Sequence, residues 1–522
     1  MKTRKLLFII GIIFYTILVV GVTYWFTADT EFVKEATSVN VQGKSDDSQK
    51  KKFNRNNKSF DEEYNWIPLP DIDLDKPDSV YNINSLTTEA ENVIDLRSLS
   101  GHDVQINGKD VSGKDNYSLE IDEISEDNQL TLTIDGADYT IRTLPEGMEG
   151  YDYENNGAED GYYYFTYESY IVKLNTDGEV VYYKDVGLSY DFKLNKTEDG
   201  DIYYSYLVKA NNQDKISNIG YQTTKAVIMD ENYNVVDEVE SLVPTDKLDA
   251  SPLENHELIV LDLHHYIISS YYPKEVNNIP SDIDQNKFGS RVIASTLQEI
   301  KDGEVLWQWQ STDYPELYEL SIEHNDFTNE HAEYADYVHF NSLAIDPEDN
   351  NLIISARNMS SIIKLNRETG DIMWVLGGKG DQFGLSEEQK FSRQHKLSFL
   401  SDGTILLFNN GNVLPKAPYP VVPDDSPLHD KKEETSIMKI KIDEENKEVV
   451  EYENYPTGEF SGTRGSVQML NEKKNIVLIG WGSGENNDAT FTEKKLSTGE
   501  ELFVFYPKDE GDISYRSYKF DQ

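Results

Sequence analysis

Residues 339–378 read HFNSLAIDPEDNNLIISARNMSSIIKLNRETGDIMWVLGG and contain two consecutive hairpin patterns. In the first pattern, a short apolar stretch meets the Asp/Asn-rich turn DPEDNN and returns as a run of aliphatic residues. In the second, an apolar strand reaches a turn at Gly370 and returns with Trp374 four positions later. Apolar runs separated by such turns predict β-hairpins. Two adjoining hairpins predict one four-stranded antiparallel sheet.

The same unit recurs along the chain. Hairpins of the second type begin at six positions: Tyr170, Lys225, Arg291, Ser361, Ser436 and Ala489. Hairpins of the first type lie between them and begin at His256, His339, His395 and Ser466. Six four-stranded sheets in a radial repeat predict an all-β fold, a six-bladed β-propeller. Unrelated hairpins in a sandwich are the alternative, but they do not explain the shared order of hairpin types.

The composition limits the classes of function. The chain has 522 residues, with 95 acidic against 48 basic side chains and a net charge of −47. A protein of this charge is repelled by a phosphate backbone, so we expect no nucleic-acid partner. The absence of cysteine excludes disulfides, thiolate nucleophiles and cysteine-ligated zinc. The many Tyr, Phe and Gly residues favour β-structure over disorder.

The N-terminus carries a membrane signal. Three basic residues precede an uncharged apolar run from Leu6 to Phe26, which is about long enough to cross a bilayer. We predict a cytoplasmic stub at residues 1–5 and a single transmembrane anchor at residues 6–27, with the rest of the chain outside the cell. A cleaved signal peptide is the competing interpretation. The run is long for a signal peptide, however, and no A-x-A site follows it.

Three further regions follow the anchor. Residues 28–75 have little periodicity and are predicted to be a polar linker. Residues 76–145 alternate apolar and polar residues between NGK, SGK and DGAD turns, which predicts a small β-sandwich-like domain. Residues 146–522 contain the repeats and are predicted to form the propeller, in which we expect any catalytic residues to lie.

Three of the nine histidines occupy one phase of the repeat. His256, His339 and His395 each open a hairpin of the first type. Equivalent positions on successive propeller blades converge on the central channel, so the three imidazoles are predicted to meet. Arg357 ends the strand pair that His339 begins, and Asn341 lies on the same side of the strand as His339. A single histidine is more often a surface or core residue, but three at one phase with an arginine favour a site.

The arginine indicates which ligand this site would bind. Three imidazoles could bind zinc, but a guanidinium beside them favours an anion with several oxygens. The protein is acidic overall, so local cations must attract that anion. The candidates are Arg357, Arg393, Lys396 and Arg464. A Debye length of about 8 Å screens the overall charge enough to allow this. We therefore predict an oxyanion site with no catalytic metal and no cofactor.

Several ordered motifs resemble those of the arylsulfotransferase family, the bacterial aryl-sulfate sulfotransferases that use no nucleotide donor. They are H-F-N at 339–341, S-A-R at 355–357, NRETGDIMWVLGG at 366–378, Q-H-K-L at 394–397, LLFNNG at 406–411 and GTRGSVQML at 462–470. The resemblance implies a six-bladed propeller after an N-terminal β-domain. It also implies transfer of a sulfuryl group between phenols through a sulfohistidine. The best-known periplasmic members have a disulfide and lose a signal peptide, whereas this chain has neither cysteine nor an evident cleavage site.

The resemblance also implies roles for individual residues. His395 corresponds to the nucleophile, and His339, Arg357 and His256 correspond to its helpers. Asn341 matches a further polar, substrate-binding position. A late hydroxyl near the donor oxygens corresponds to either Thr463 or Ser466.

From these residues we expect an extracellular, membrane-tethered transferase. Its partners would be a small aryl sulfate donor and a phenolic acceptor, and its kinetics would be ping-pong. A non-catalytic surface propeller that binds anionic glycans or peptides is the alternative. A hydrolase in which water replaces the phenol is a third interpretation.

Overall fold

The computed structural model describes residues 64–70, 72–74, 77, 80–83, 86, 90–124, 129–145, 148, 150–210, 222–243, 253–283, 288–412, 434–483, 488–508 and 514–522. The predicted stub and transmembrane anchor at residues 1–27 lie outside the described residues, as does most of the predicted linker. Within the described ranges, no helix is both long enough and apolar enough to cross a membrane. The anchor therefore stays a prediction.

The described N-terminal domain consists of two sheets around one apolar core. Its strands are β1 (Tyr64–Pro68), β2 (Val80–Ile83), β3 (Glu91–Asp95), β4 (Val104–Ile106), β5 (Lys109–Asp110), β6 (Asn116–Leu119), β7 (Gln129–Ile134) and β8 (Ala137–Thr143). One sheet has the order β1-β3-β6 and the other the order β2-β8-β7-β4-β5. Leu130, Leu132 and Ile134 alternate with more exposed residues on β7 and enter the shared core. Two sheets that bury facing apolar sides form a small sandwich.

Strand β1 lies inside the segment predicted as a linker at residues 28–75. It pairs in parallel with β3, from Tyr64 opposite Glu91 to Pro68 opposite Asp95. Ile67 is fully buried in the N-terminal core. The linker prediction is therefore wrong for these five residues. Ile67 lies between the exposed residues Trp66 and Pro68, so the segment lacks the alternation of apolar and polar residues that would reveal a strand whose partner is distant in sequence.

The rest of the described chain is almost entirely strand. The strands are β9 (Asp152–Asn155), β10 (Tyr162–Tyr167), β11 (Tyr170–Asn175), β12 (Val180–Asp185), β13 (Ser189–Lys196), β14 (Ile202–Lys209), β15 (Thr224–Met229), β16 (Val235–Val239), β17 (Leu253–Asp262), β18 (His265–Val276), β19 (Ser290–Lys301), β20 (Glu304–Gln310), β21 (Phe340–Ile345), β22 (Leu352–Ala356), β23 (Ser361–Leu365), β24 (Ile372–Leu376), β25 (Lys396–Phe399), β26 (Ile405–Asn409), β27 (Ser436–Asp443), β28 (Glu448–Pro456), β29 (Ser466–Asn471), β30 (Ile476–Gly480), β31 (Phe491–Lys495), β32 (Glu500–Tyr506) and β33 (Ser517–Phe520). The helical elements of the described chain are an α-helix at Leu317–Leu320 and 3-10 turns at Arg97–Leu99, Ile121–Glu123, Ser311–Asp313, Arg357–Met359 and Gly378–Gly380. The all-β class is confirmed.

These strands form six antiparallel sheets. Four sheets each consist of four consecutive strands: β13–β16, β17–β20, β21–β24 and β25–β28. A fifth consists of β29–β32 with β9 added beside β32. The sixth consists of β10–β12 and is completed by β33, which pairs with β10. The sheet of β10–β12 and the sheet of β29–β32 therefore each contain a strand from the other end of this region.

The first strands of the sheets contact one another in a closed series. β13 contacts β17, and the contacts continue through β21, β25 and β29 to β33, which contacts β13 again. Six apolar clusters each join one sheet to the next around this series. The apolar core is thus distributed between neighbouring sheets. The first strands, called the inner strands, instead carry buried polar and charged side chains.

The predicted hairpins are present. Those starting at His339 and Ser361 form β21–β22 and β23–β24. Gly370 in the second turn has φ of 80°, and a Cβ there would lie 2.8 Å from the hydroxyl of Tyr314, so glycine fits this turn. Trp374 packs in the apolar cluster between this sheet and the next.

Candidate active site

Three histidines meet where the first strands of neighbouring sheets begin. His256 lies on β17, His339 immediately precedes β21 and His395 immediately precedes β25. The ring centroids of His256 and His339 are 5.3 Å apart, and those of His256 and His395 are 5.6 Å apart. All three side chains are almost completely buried. The structure thus brings together the imidazoles that occupy one phase of the repeat.

His395 is held as a neutral ring with its lone pair on Nε2. Its Nδ1 lies 2.8 Å from the carbonyl oxygen of Gly465. A carbonyl only accepts, so Nδ1 carries the proton and Nε2 carries the lone pair. Burial and the positive charge of Arg516 hold the pKa of His395 well below its usual range. The hydroxyl of Tyr515 donates to Nε2 at 3.1 Å. A neutral imidazole with an oriented lone pair can act as a nucleophile at neutral pH.

The neutral His395 predicts a pH dependence of stability. In the unfolded chain this imidazole takes up a proton near its ordinary pKa of about 6.5, whereas burial delays protonation of the folded chain to lower pH. The unfolded state therefore binds more protons below pH 6.5, and the free energy of unfolding falls as the pH is lowered. We expect His395 to contribute a loss of about 1.4 kcal/mol per pH unit in this window.

Urea unfolding of the full chain between about pH 7 and pH 5 measures this loss. His395→Asn removes the titrating ring, so the variant should lose less stability over the same interval. Equal pH slopes for the two chains would contradict the assignment.

His256 and His339 differ from His395 because each has a carboxylate on Nδ1. Nδ1 of His256 is hydrogen-bonded to Oε2 of Glu254, and Nδ1 of His339 lies 2.5 Å from Oδ2 of Asp336. Both carboxylates are fully buried. An ionised carboxylate only accepts, so Nδ1 of each ring carries a proton. A carboxylate in this position orients the ring and stabilises its imidazolium form. The three imidazoles therefore divide into one neutral ring and two that are suited to carry positive charge.

Arg357 is anchored by a buried carboxylate beside His339. Its backbone N–H donates to the carbonyl oxygen of His339 at 3.0 Å. Its Nη1 donates to Oε1 of Glu323 and, at 2.6 Å, to Oδ1 of Asn358. Arg393 donates through Nε to the other oxygen of Glu323 at 2.8 Å. Burial alone would raise the pKa of Glu323, but the two guanidiniums outweigh it and lower the pKa to about 2. Glu323 is therefore charged and holds two arginines in place.

The three remaining predicted positions are placed differently. Asn341 is completely buried, and its Oδ1 finds no hydrogen-bond donor in the described part of the chain. Thr463 is partly exposed, and its hydroxyl donates to Oγ of Ser483 at 2.7 Å. Oγ of Ser466 lies 3.2 Å from the backbone nitrogen of Ser517, which donates to it. Ser466 thus joins β29 to β33, and the hydroxyl of Thr463 is likewise engaged within the protein.

A central charged cluster adjoins the histidines on the inner strands. Its members are Asp191, Lys193, Glu257, Lys396 and Arg516, each at most 9% exposed. Glu257 accepts from Lys193 at 2.7 Å, from Lys396 at 2.5 Å and from Arg516 at 2.9 Å. Burial alone would raise the pKa of Glu257, but the three cations outweigh it and hold the pKa well below its usual range. Three cations against two carboxylates leave an excess of positive charge beside His395.

Several residues around the site have a left-handed backbone. The φ angles are 47° at His339, 50° at Arg393, 62° at Arg464, 53° at Asp191 and 53° at His324. Each such conformation costs roughly 1–3 kcal/mol in a residue other than glycine. Four of these residues, all except His324, lie at or near the starts of inner strands, which indicates that the backbone bends there to direct side chains into the site.

Sequence reasoning missed four residues whose side chains hydrogen-bond to the three histidines. Glu254 and Asp336 bind histidine nitrogens, Tyr515 binds His395, and Nη1 of Arg516 donates to the carbonyl oxygen of His256 at 2.5 Å. Tyr515 and Arg516 precede β33, the first strand of the sixth sheet. An alignment of that strand with the other first strands would have found them, because Arg516 follows Tyr515 as Lys396 follows His395.

The described residues offer no alternative metal centre. No group of three or more His, Asp or Glu side chains in the described ranges is arranged to hold a metal ion. Nδ1 of each imidazole in the histidine cluster is already occupied by a protein oxygen.

The family model described as Arylsulfotransferase (ASST) matches residues 151–516. This match confirms the resemblance found in the sequence motifs. No curated protein matches the chain significantly.

Solved structures show distant similarity. A protein of unknown function from Bacteroides caccae has 11% identity and a TM-score of 0.36, with 70% of this chain and 100% of that chain covered. The Cps50 (Swd1) β-propeller domain of Myceliophteria thermophila has 9% identity and a TM-score of 0.33, with 74% and 86% covered. A putative 6-phosphogluconolactonase from Bacteroides uniformis has 10% identity and a TM-score of 0.35, with 70% and 100% covered.

Proposed function

We propose, from the premise that the chain belongs to the arylsulfotransferase family, that it moves a sulfuryl group from an aryl sulfate to a phenol through a sulfohistidine at His395. The family match supports aryl sulfotransferase activity in general. One observation carries the finer assignment: the neutral His395 presents Nε2 beside carboxylate-bound imidazoles and an anchored arginine.

In the first half-reaction, Nε2 of His395 attacks the sulfur of the donor. The sulfur–oxygen bond to the aryl group breaks, and the departing phenolate takes a proton from a neighbouring imidazole. Arg357 binds sulfuryl oxygens as they gain negative charge, and Glu323 keeps its guanidinium in place. The position of Tyr515 supports the proposal that the substrate is phenolic, because the phenolic oxygen of Tyr515 lies 3.1 Å from the nucleophilic nitrogen.

In the second half-reaction, the acceptor phenol attacks the sulfur bound to His395. The imidazole that protonated the first phenolate now removes the acceptor's proton, and the nitrogen–sulfur bond breaks. The same groups serve in both directions, so the first product leaves before the acceptor reacts. This order gives ping-pong kinetics.

The proposal also covers the architecture of the fold and the cellular location of the protein. The six sheets and the closed series of their first strands support a six-bladed β-propeller with the histidines at its centre. The apolar run at residues 6–27 supports a single-pass membrane anchor with the catalytic domain outside the cell. If the anchor is retained, washed membranes keep the activity, and activity found wholly in the medium would contradict it.

A chromogenic aryl sulfate tests the activity directly. We expect the full chain to release the coloured phenol rapidly only when a second phenol is present as acceptor. A brief reaction without acceptor should instead add one sulfo group to the peptide that contains His395, as measured by mass spectrometry. Rapid release without acceptor would indicate hydrolysis, and no release with no added mass would indicate a binding protein. Either result would contradict the proposal.

A further inference from the structure

We infer that Glu254 is a positioning residue that makes His256 the proton carrier of both half-reactions. The inference rests on the proposed function, since it assigns the proton transfer within that reaction. It separates His256 from His339, which the chemistry of phenol departure alone leaves equivalent.

Glu254 holds His256 more completely than one hydrogen bond would. Its Oε2 binds Nδ1 of His256 and also accepts from the backbone nitrogen of His256 at 2.7 Å. Its other oxygen, Oε1, accepts from the hydroxyl of Ser269 on the neighbouring strand β18. The carboxylate is completely buried, so no solvent competes for these bonds. The ring is therefore fixed in one orientation, with Nδ1 occupied and Nε2 left to exchange a proton.

The ring of His256 lies close to His395 and to Tyr515, which binds the reacting nitrogen of His395. Its ring centroid lies 5.6 Å from that of His395 and 5.9 Å from that of Tyr515. The Tyr515 hydroxyl binds Nε2 of His395 and marks a position that a phenolic oxygen can occupy. A proton leaving Nε2 of His256 therefore has a short route to the aryl oxygen.

His339 has surroundings suited to a different task. It lies beside Arg357, whose backbone donates to its carbonyl oxygen at 3.0 Å. Both belong to the side of the site that Glu323 organises, together with Arg393. The two guanidiniums on this side suit the sulfuryl oxygens, which keep negative charge throughout the transfer.

The other groups around His256 leave Glu254 as the carboxylate that binds its ring. Tyr271 on β18 lies 5.9 Å away between ring centroids, and His339 lies 5.3 Å away. Arg516 binds the backbone carbonyl of His256 and supplies positive charge. Glu254 opposes that charge, and a buried carboxylate on Nδ1 stabilises the imidazolium that must form when the acceptor is deprotonated.

The proton balance is complete within these groups. In the first half-reaction Nε2 of His256 gives its proton to the departing phenolate while sulfur binds Nε2 of His395. The imidazolium of His256 becomes neutral, and Glu254 keeps its charge. In the second half-reaction the acceptor phenol returns a proton to Nε2 of His256, its oxygen binds sulfur, and the electron pair of the nitrogen–sulfur bond returns to His395.

The dependence of donor cleavage on the leaving phenol tests the inference. A nitrophenolate departs without a proton, whereas an unsubstituted phenolate needs one. Glu254→Gln keeps a side chain that can accept from Nδ1 but removes the charge that supports the imidazolium. We expect this variant to cleave phenyl sulfate about 10²-fold more slowly, with 4-nitrophenyl sulfate slowed only about threefold or less. The measurement is the single-turnover rate of each donor with the full chain.

Asp336→Asn is the matched control, because Asp336 is the equally buried carboxylate on His339. It should slow both donors by the same factor. A loss of equal size for both donors in Glu254→Gln would overturn the inference, as would a selective loss in Asp336→Asn alone.

Wild-type rates keep the inference testable even where Glu254→Gln does not fold. The wild-type rate should depend only weakly on the acidity of the leaving phenol, and a steep dependence would overturn the role of His256. Failure of the proposed function looks different, because the wild-type chain would then transfer no sulfuryl group from any donor.

Discussion

Replacement of His395 by asparagine should abolish sulfuryl transfer, with a loss of at least about 10⁴-fold in turnover. The amide of Asn can donate to the carbonyl oxygen of Gly465 as Nδ1 of His395 does, so the local fold has a replacement for that hydrogen bond. It has no basic nitrogen with which to form a bond to sulfur. The measurement is release of a chromogenic phenol with acceptor present, together with the search for a sulfo group on the peptide that contains residue 395.

His264→Asn is a suitable control for this variant. His264 lies between β17 and β18, and 49% of its side chain is exposed. This control should keep wild-type turnover. If His395→Asn retained turnover within about tenfold of wild type, the nucleophile would have to be another group.

The second large effect is expected from Glu257→Gln, which should lower the free energy of unfolding by about 3–5 kcal/mol. Glu257 accepts from Lys193, Lys396 and Arg516, and 2% of its side chain is exposed. A neutral glutamine leaves three buried cations facing the single carboxylate of Asp191. Buried charges without partners are costly because little water reaches them. The loss is a large part of the stability of a typical domain, about 5–15 kcal/mol.

Urea unfolding of the full chain measures this effect, and two variants calibrate it. Glu238→Gln breaks an exposed pair with Lys225 and should cost less than about 1 kcal/mol. Lys193→Met combined with Glu257→Gln restores the original excess of one positive charge, so it should recover part of the lost stability. If Glu257→Gln alone cost less than about 1 kcal/mol, the central charged cluster would not be held together by charge.

The candidate site shows which functional residues can be predicted from their position in a sequence repeat. His256, His339 and His395 were found because side chains at equivalent positions of repeated hairpins face a common centre, and the structure brings the three together. Arg357 was found from the strand pair that His339 begins, and it is anchored beside that histidine. Position in the repeat was sufficient for these residues.

Glu254, Asp336 and Tyr515 could not be found in the same way. Glu254 and Asp336 lie only two and three residues from their histidines, but their neighbours in the sequence include many other acidic residues. Which carboxylate meets an imidazole depends on the local path of the backbone. Strand β1 was missed for a related reason, because its partner β3 is distant in the chain.

The amino-acid sequence by itself determined the all-β class, the order of the hairpins and the phase at which the histidines stand. These properties depend on the periodic spacing of residue types, which is visible in the order of residues along the chain. Only the tertiary structure decided which ring has a carbonyl on Nδ1 and which have carboxylates. It also brought Tyr515 and Arg516, which precede β33, to the histidines, because β33 pairs with β10 and completes that sheet. Protonation depends on the distance and burial of such partners, and these exist only after the strands have packed.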